Sequence, residues 1–172
     1  ENQVKYSQFG HICLGIDEEN EDKKRRLRAV LDLFDKVGMP YILEDDIMRR
    51  IWGKFMLNVG LNQSVMIYEG TYATVQKPGK ARELMKNAMR EVMRLAQMEN
   101  INLTQKDFDD YIELVDQMNP NGMPSMRQDG LQKRKSEVEL FAGTVIKLAD
   151  KHRIDVPVNR KIYETVLKME EE

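Results

Sequence analysis

Residues 51–64 read IWGKFMLNVGLNQS, and this stretch places Lys54, Asn58 and Asn62 at steps of four. In an α-helix each residue turns the chain by about 100°, so a step of four returns to nearly the same side. The pattern therefore predicts one long helix from which the three polar side chains point into the same space.

Apolar residues share this side of the predicted helix with Lys54: Ile47, Ile51, Leu57 and Leu61. An unpaired ammonium group among apolar side chains is costly unless it borders a space that water or a ligand can enter. The pattern therefore predicts that this face borders a cleft. The alternative from the same residues is a lysine that extends past its apolar neighbours to water, with asparagines that bond locally.

The composition restricts the class of protein. With 172 residues and 41% hydrophobic content, the chain can form a core of one domain, or of one domain with part of another. A net charge of -2 gives no overall attraction to nucleic acid or to an anionic membrane, so we expect small-molecule or protein partners.

No apolar run approaches the roughly 20 residues that cross a bilayer. Cys13 is the single cysteine, which excludes an internal disulfide and favours a cytoplasmic protein.

Other local signals favour ordinary structure. The basic run 23–28 (KKRRLR) directly follows the acidic run 17–22 (DEENED), which is typical of a solvated helix face and not of a nucleic-acid site. His11 and His152 are far apart in sequence and only one cysteine is present, so no metal-ligand spacing occurs.

Periodicity divides the chain into two predicted parts. Residues 9–16 and 41–43 have the composition of short strands on either side of a helix over 23–37, which makes residues 1–44 an α/β unit. Residues 45–172 are predicted to be entirely helical. The predicted helices span 45–67, 78–99, 104–117, 125–133, 136–153 and 157–170.

A second group of polar residues lies in the stretch 119–139, NPNGMPSMRQDGLQKRKSEVE, which is rich in Pro, Gly and Asn before it enters a helix. Ser125 fits a capping box, and Ser136 fits another. Glu137 would then be an acidic residue in the first turn of a helix. Taken alone, these residues have a structural explanation.

Taken together, the spaced motifs resemble the C-terminal domain of the ketopantoate reductase (2-dehydropantoate 2-reductase) family. The pattern is W-x-K-x-x-x-N-x-x-x-N, S-M-x-x-D, an S/T-E pair whose glutamate follows that serine by twelve residues, G-x-V and P-x-N. The resemblance covers about residues 45–170, and residues 9–44 resemble the end of the family's nucleotide-binding domain. The positions that carry the pattern are Trp52, Lys54, Asn58, Asn62, Ser125, Met126, Asp129, Ser136, Glu137, Gly143, Val145, Pro157 and Asn159.

The resemblance implies a mainly α-helical fold of the 6-phosphogluconate-dehydrogenase-like type, preceded by a short remnant of a Rossmann domain. It implies an oxidoreductase that uses NADPH to reduce the 2-keto acid ketopantoate to pantoate in pantothenate biosynthesis. The cofactor site would lie largely outside this chain, so the chain alone is expected to be inactive. The resemblance also allows a homodimer through the helical domain, which would bind substrate and dimerise.

The resemblance also implies a role for each polar residue. Lys54 would be the catalytic lysine, and Glu137 the acid that faces the reacting oxygen of the substrate. Ser125 would hold the substrate carboxylate, while Asn58 and Asn62 would hold its hydroxyl or carbonyl oxygens. The set suits the chemistry, because an ammonium can stabilise and then protonate the charge that grows on a ketone oxygen when hydride arrives.

The sequence departs from the family pattern at two points. The family often has another substrate-binding asparagine about ten residues after the second asparagine of the stripe, where this chain has Tyr72. The glycine-rich dinucleotide fingerprint is absent, and the chain opens ENQVKYSQFG without an initiator methionine, so we expect a piece of a longer protein.

Two alternatives stay open at the level of the sequence. One is a reductase of the same architecture that acts on another 2-keto acid or on an opine-like substrate. The other is a non-catalytic helical oligomerisation module, in which Lys54 and Glu137 are ordinary surface residues.

Overall fold

The structure is a computed structural model that describes residue 3, residues 10–18 and residues 20–171. The chain divides into two compact units, residues 1–50 and residues 51–172. The predicted mainly helical fold is confirmed, since the described strands are limited to one short pair.

The first unit contains two parallel strands joined by a helix. β1 (Ile12–Leu14) pairs in parallel with β2 (Tyr41–Leu43), and α1 (Glu21–Val37) connects them. The side chain of Asn20 accepts hydrogen bonds from two N–H groups of the first helical turn. The helix ends at Gly38, whose φ of 66° is a left-handed value that glycine adopts easily. The predicted strand, helix, strand order is therefore confirmed.

The first strand is shorter than the predicted span of 9–16. It ends at Leu14, and Phe9 lies outside the described residues. No residue of α1 is buried, and a two-stranded sheet alone is marginally stable in water. The described part of this unit therefore buries little apolar surface by itself.

The second unit is built from helices. α2 begins before the boundary between the units, and the others follow it in chain order. They are α2 (Ile47–Ile67), α3 (Ala73–Gln76), α4 (Lys80–Met98), α5 (Gln105–Gln117), α6 (Ser125–Leu131), α7 (Thr144–His152) and α8 (Pro157–Glu171). None of the helices in the described ranges is long and apolar enough to span a bilayer.

α2 lies in the core of the second unit, where eleven of its residues are buried. It approaches α4 closely at Gly60, because a Cβ atom there would lie 2.4 Å from Met89 Cγ and 2.9 Å from the Met85 carbonyl oxygen. Only glycine permits this distance without moving backbone. Met85 and Met89 are fully buried on the α4 side of the contact.

Four details of the predicted helices are wrong. α3 was not predicted, and the helix predicted over 136–153 starts as a π-helical turn (Glu139–Gly143) that leads into α7. Ser125 is the first residue of α6 and not its cap, because Pro124 precedes it and no side chain caps the helix. The predicted capping box at Ser136 is also absent, since its hydroxyl accepts from the nearby Val138 N–H (3.3 Å).

The N-terminus of α8 is capped by a carboxylate from another helix. Glu91 of α4 is only 4% exposed and accepts hydrogen bonds from the backbone N–H groups of Val158 and Asn159, both at 2.9 Å. It also accepts from the Asn159 side-chain amide at 2.7 Å. A negative charge is favourable where the N–H groups of a first helical turn point outward. Asn159 of the P-x-N motif is therefore part of a structural cap.

We expect Glu91→Ala to lower the free energy of unfolding by about 2–4 kcal/mol, because three donors lose a buried, charged acceptor. Urea unfolding of this chain and of the variant, followed by circular dichroism, measures the difference.

The matched control is Glu83→Ala, which removes an exposed glutamate from the same helix. Its effect should be within about 0.5 kcal/mol of zero, as is usual for surface positions. Equal losses in the two variants would contradict the role of Glu91 as a cap.

Candidate functional site

A cavity of about 270 Å³ lies within the second unit. Its walls come from α2, from the segment before and at the start of α6, from the residues around the π-helical turn, and from single residues before α3 and after α5. The lining residues are Lys54, Leu57, Asn58, Leu61, Asn62, Tyr72, Met118, Pro124, Ser125, Glu137 and Phe141. All five site residues predicted from the sequence line this one cavity, and their catalytic and binding roles stay predictions.

The α2 stripe becomes more buried along the helix. Lys54 is exposed, Asn58 is half-buried and Asn62 is only 8% exposed. None of these three side chains forms a hydrogen bond or ion pair with another residue in the part of the chain that the structure describes. Buried polar groups normally have partners. The donors and acceptors of Lys54, Asn58 and Asn62 are therefore available to a molecule in the cavity.

Lys54 is less enclosed than the sequence suggested. Ile51, which shares its side of the helix, is 52% exposed, whereas Leu57 and Leu61 are buried. The apolar side chains below Lys54 form the wall of the cavity, and the ammonium stays in contact with solvent. The cost of an unpaired charge is thus avoided by exposure.

Ser125 and Glu137 both line the cavity and form a hydrogen bond with each other. The Ser125 hydroxyl donates to Glu137 Oε2 at 3.1 Å. Ser125 lies at the start of α6, and Glu137 lies two residues before the π-helical turn. A hydroxyl donor and a carboxylate acceptor are therefore held together on the same cavity as the lysine and amides of α2.

Gln63 connects α2 to the helix that follows Glu137. In the π-helical turn the Gly143 N–H bonds back five residues to the Val138 carbonyl (3.0 Å), whereas the Ala142 N–H donates to Gln63 Oε1 at 3.1 Å. Gln63 is fully buried and also donates to the Val59 carbonyl (2.7 Å). The wider turn leaves the Ala142 N–H group without an acceptor in its own helix, and Gln63 supplies that acceptor. The bond therefore fixes the segment beside the cavity to α2.

Tyr72 forms another part of the wall. Its backbone N–H donates to the Gly122 carbonyl at 2.9 Å, in the loop before α6. Gln76 of α3 donates to the Met118 carbonyl at 2.9 Å, where α5 ends. These bonds hold α3 against the two segments that contribute Met118 and Pro124. Partial burial raises the pKa of the Tyr72 phenol above its ordinary value.

The sequence did not single out four residues that shape the site: Gln63, Met118, Pro124 and Phe141. Phe141 could have been found from its position four residues after Glu137, on the same side of a helical segment. The other three have no local signal, because their contacts come from distant parts of the chain. Within the described ranges, no group of three His, Cys, Asp or Glu residues could hold a metal ion.

Residues 46–170 match the profile of the ketopantoate reductase PanE/ApbA C-terminal family. The chain belongs to this family. The 2-dehydropantoate 2-reductase of Vibrio cholerae serotype O1 is 24% identical over 170 residues, which are 99% of this chain and 56% of the relative. The chain spans about half the length of the curated relatives it matches.

Solved structures of similar fold support the architecture of the family. A dimeric ketopantoate reductase from Staphylococcus aureus superposes with a TM-score of 0.77 at 24% identity, over 95% of this chain and 55% of that one. A D-mandelate dehydrogenase with NADH and anilino(oxo)acetate gives a TM-score of 0.81 at 20% identity, over 95% of this chain and 68% of that one. At these identities the likeness shows the fold alone.

We expect Gln63→Leu to lower the free energy of unfolding by about 1–3 kcal/mol, because the buried Ala142 N–H loses its acceptor. Hydrogen exchange at the Ala142 amide should become faster in this variant. Urea unfolding and amide exchange measured by NMR test both effects.

Ser64→Ala is the contrasting variant, because Ser64 is the next residue and is also fully buried. Its hydroxyl has no hydrogen-bond partner among the described residues. Removing it should leave stability unchanged or raise it, with no effect on Ala142 exchange. Unaltered exchange in Gln63→Leu would contradict the bridging role of the glutamine.

Proposed function

We propose that this chain is the substrate-binding and dimerisation part of an NADPH-dependent 2-dehydropantoate 2-reductase, which reduces ketopantoate to pantoate in pantothenate biosynthesis. The observation that carries the proposal is the unpaired set of Lys54, Asn58 and Asn62 on the same cavity as the Ser125–Glu137 pair. Membership of the family supports it. A helical module without chemistry would have no need for these unpaired groups around one cavity.

The size of the cavity suits a small acid. Its volume of about 270 Å³ lies just below the roughly 300–1,000 Å³ that is typical of sites for drug-sized ligands. A dinucleotide would not fit, and the sequence has no glycine-rich phosphate loop. The nucleotide would therefore be bound by a domain outside this chain. When bound there, NADPH supplies a hydride to the keto carbon.

Lys54 would act at the ketone oxygen. As the carbon accepts hydride, the electron pair of the C=O π bond moves onto the oxygen, where the Lys54 ammonium stabilises the charge. The ammonium then gives a proton to that oxygen, which becomes the hydroxyl of the product. Because Lys54 is exposed, the neutral amine left behind can regain a proton from solvent.

The remaining polar residues would orient the substrate. Asn58 and Asn62 would offer amide N–H donors to its carbonyl or hydroxyl oxygens. In the structure Ser125 donates its hydroxyl to Glu137, and a substrate carboxylate could take the place of that acceptor. Glu137 would then face the reacting oxygen. Such fixed positions reduce the entropy cost of reaching the transition state.

A second candidate is reduction of another 2-keto acid by the same chemistry. Tyr72 favours it, because an aromatic side chain lines the cavity where the resemblance predicts an asparagine. The similar D-mandelate dehydrogenase structure holds anilino(oxo)acetate, an oxo acid with an aromatic group, together with NADH.

The assembly and location of the protein are part of the proposal. The Staphylococcus aureus ketopantoate reductase of similar fold is dimeric. We propose a homodimer through the helical unit and a cytoplasmic location, where the small-molecule substrate of a biosynthetic enzyme would be found.

In the full-length protein, Lys54→Ala should lower kcat by about 10²- to 10⁴-fold, the typical loss when general-acid catalysis is removed. The ammonium meets a partial charge on the ground-state ketone and a nearly full charge in the transition state, so the loss falls on kcat. Steady-state kinetics with ketopantoate and NADPH measure it. Lys147→Ala removes an exposed ammonium from α7 outside the cavity and should leave kcat unchanged.

Ser125→Ala should behave differently, because a carboxylate keeps its charge throughout the reaction. Losing a hydrogen bond to a charged group costs about 1.5–3 kcal/mol, which corresponds to a roughly 10- to 100-fold rise in KM at nearly constant kcat.

A Lys54→Ala enzyme whose kcat stays within a factor of about 5 of wild type would end the catalytic assignment, since that factor is less than about 1 kcal/mol.

This chain alone should bind NADPH weakly, because it lacks the glycine-rich turn and helix N-terminus that hold a pyrophosphate. Calorimetric titration with NADPH, and with NADH as a comparison, tests this. Micromolar affinity for either nucleotide would place a cofactor site within residues 1–172 and contradict the proposal on this point.

A further inference from the structure

The segment that carries Glu137 is attached to α8 on both sides of this residue. The backbone N–H of Ser136 donates to Glu170 Oε1 at 2.8 Å. Three residues later, the Glu139 carboxylate accepts a hydrogen bond from the Tyr163 hydroxyl. Both partners belong to the same helix, α8. Glu137 therefore lies between two points at which its own segment is fixed.

The spacing of the two α8 residues suits this attachment. Tyr163 and Glu170 are seven positions apart, which in an α-helix places them on nearly the same side and about 10 Å apart along the axis. The helix is itself held in place by the Glu91 cap at its N-terminus and by the buried side chains of Ile162 and Val166. It therefore forms a fixed support for the segment 136–139.

Local structure favours each of the two contacts. Ser136 precedes the helical residues, where an N–H group has no acceptor within a helix and a carboxylate is a favourable partner. Gly143 leaves room for the other contact, because a Cβ atom there would lie 2.8 Å from Glu139 Oε2. The hydrogen bond to Glu139 raises the pKa of the Tyr163 phenol above its ordinary value, so the hydroxyl stays protonated and can donate at neutral pH. The glycine of the G-x-V motif thus lies beside this attachment.

The attachment matters most when a substrate is bound. Among the described residues, the Glu137 carboxylate bonds to the Ser125 hydroxyl. Under the proposed function a substrate carboxylate takes over that hydroxyl, and Glu137 loses the bond. Its position then depends on the backbone of residues 136–139, which the two contacts with α8 and the buried side chain of Val138 hold in place.

We propose that Tyr163 and Glu170 are positioning residues, which hold Glu137 at the cavity while a substrate is bound. The inference rests on the proposed reduction of a 2-keto acid, in which Glu137 faces the reacting oxygen. Neither Tyr163 nor Glu170 lines the cavity, so both act through the segment 136–139.

In the full-length protein, Glu170→Ala and Tyr163→Phe should each lower kcat with ketopantoate and NADPH by about 10- to 100-fold, because a displacement of about 1 Å at a reacting group can cost about 10² in rate. KM should stay within about threefold of wild type, since the residues proposed to bind the substrate are unchanged. Glu170→Gln keeps an oxygen that can accept from the Ser136 N–H and should restore most of the rate.

A double variant separates positioning from a general loss of structure. If Glu170 acts through Glu137, Glu170→Ala should change kcat by less than about twofold in an enzyme that already carries Glu137→Ala. A residue that only stabilises the fold would lower kcat by the same factor in both enzymes.

Two variants that leave the attachment intact are matched controls. Glu164→Ala removes an exposed carboxylate from α8, and Tyr68→Phe removes the hydroxyl of an exposed tyrosine that follows α2. Both should leave kcat unchanged. Circular dichroism and urea unfolding check that every variant is folded under the conditions of the assay.

The outcomes distinguish this inference from the function on which it rests. Absence of ketopantoate reduction by the wild-type protein, with NADPH or with NADH, would overturn the proposed function and the inference with it. If the wild type is active, a kcat within about threefold of it in Glu170→Ala or in Tyr163→Phe would overturn the inference alone. An undiminished effect of Glu170→Ala in the enzyme without Glu137 would do the same.

Discussion

The burial of α2 is the constraint on which the rest of the second unit depends. Eleven residues of the helix are buried, and Gly60 lets it approach α4 closely at one point. A polar side chain on such a helix is most favourable when it finds a partner inside the core or faces a cavity. Gln63 finds a partner, and Asn58 and Asn62 face the cavity. Ser64, which is buried without a partner among the described residues, is the exception.

Two hydrogen-bonded contacts between distant helices complete the frame of this unit. Gln63 accepts from the amide of a residue 79 positions later, and Glu91 caps a helix 67 to 68 positions later. In each case a buried side chain accepts from a backbone N–H group that has no acceptor within its own helix. Both contacts hold helix ends in place. The cap fixes α8, and the glutamine fixes the segment beside Glu137.

Sequence periodicity was sufficient for much of this arrangement. A step of four residues predicted that Lys54, Asn58 and Asn62 share one space, and the structure places them on one cavity. Ser125 and Glu137 emerged from the family resemblance, since each alone has a simple explanation in local structure. The four-residue helix α3 was missed because long-range bonds hold it, such as the one from Gln76 to the end of α5. The π-helical turn was missed for the same reason.

The π-helical turn lets the chain hold an extra residue beside the site. Such a turn holds one residue more than the α-helical turn it replaces. Deleting one residue between Val138 and Thr144 would let a regular α-helical turn replace it. The segments on either side would keep nearly the same rotation, because the extra residue is taken up within one turn, and Glu137 would stay on the cavity. Two homologues can therefore differ by a single-residue gap between this glutamate and the glycine of the G-x-V motif and still place the glutamate at the same point.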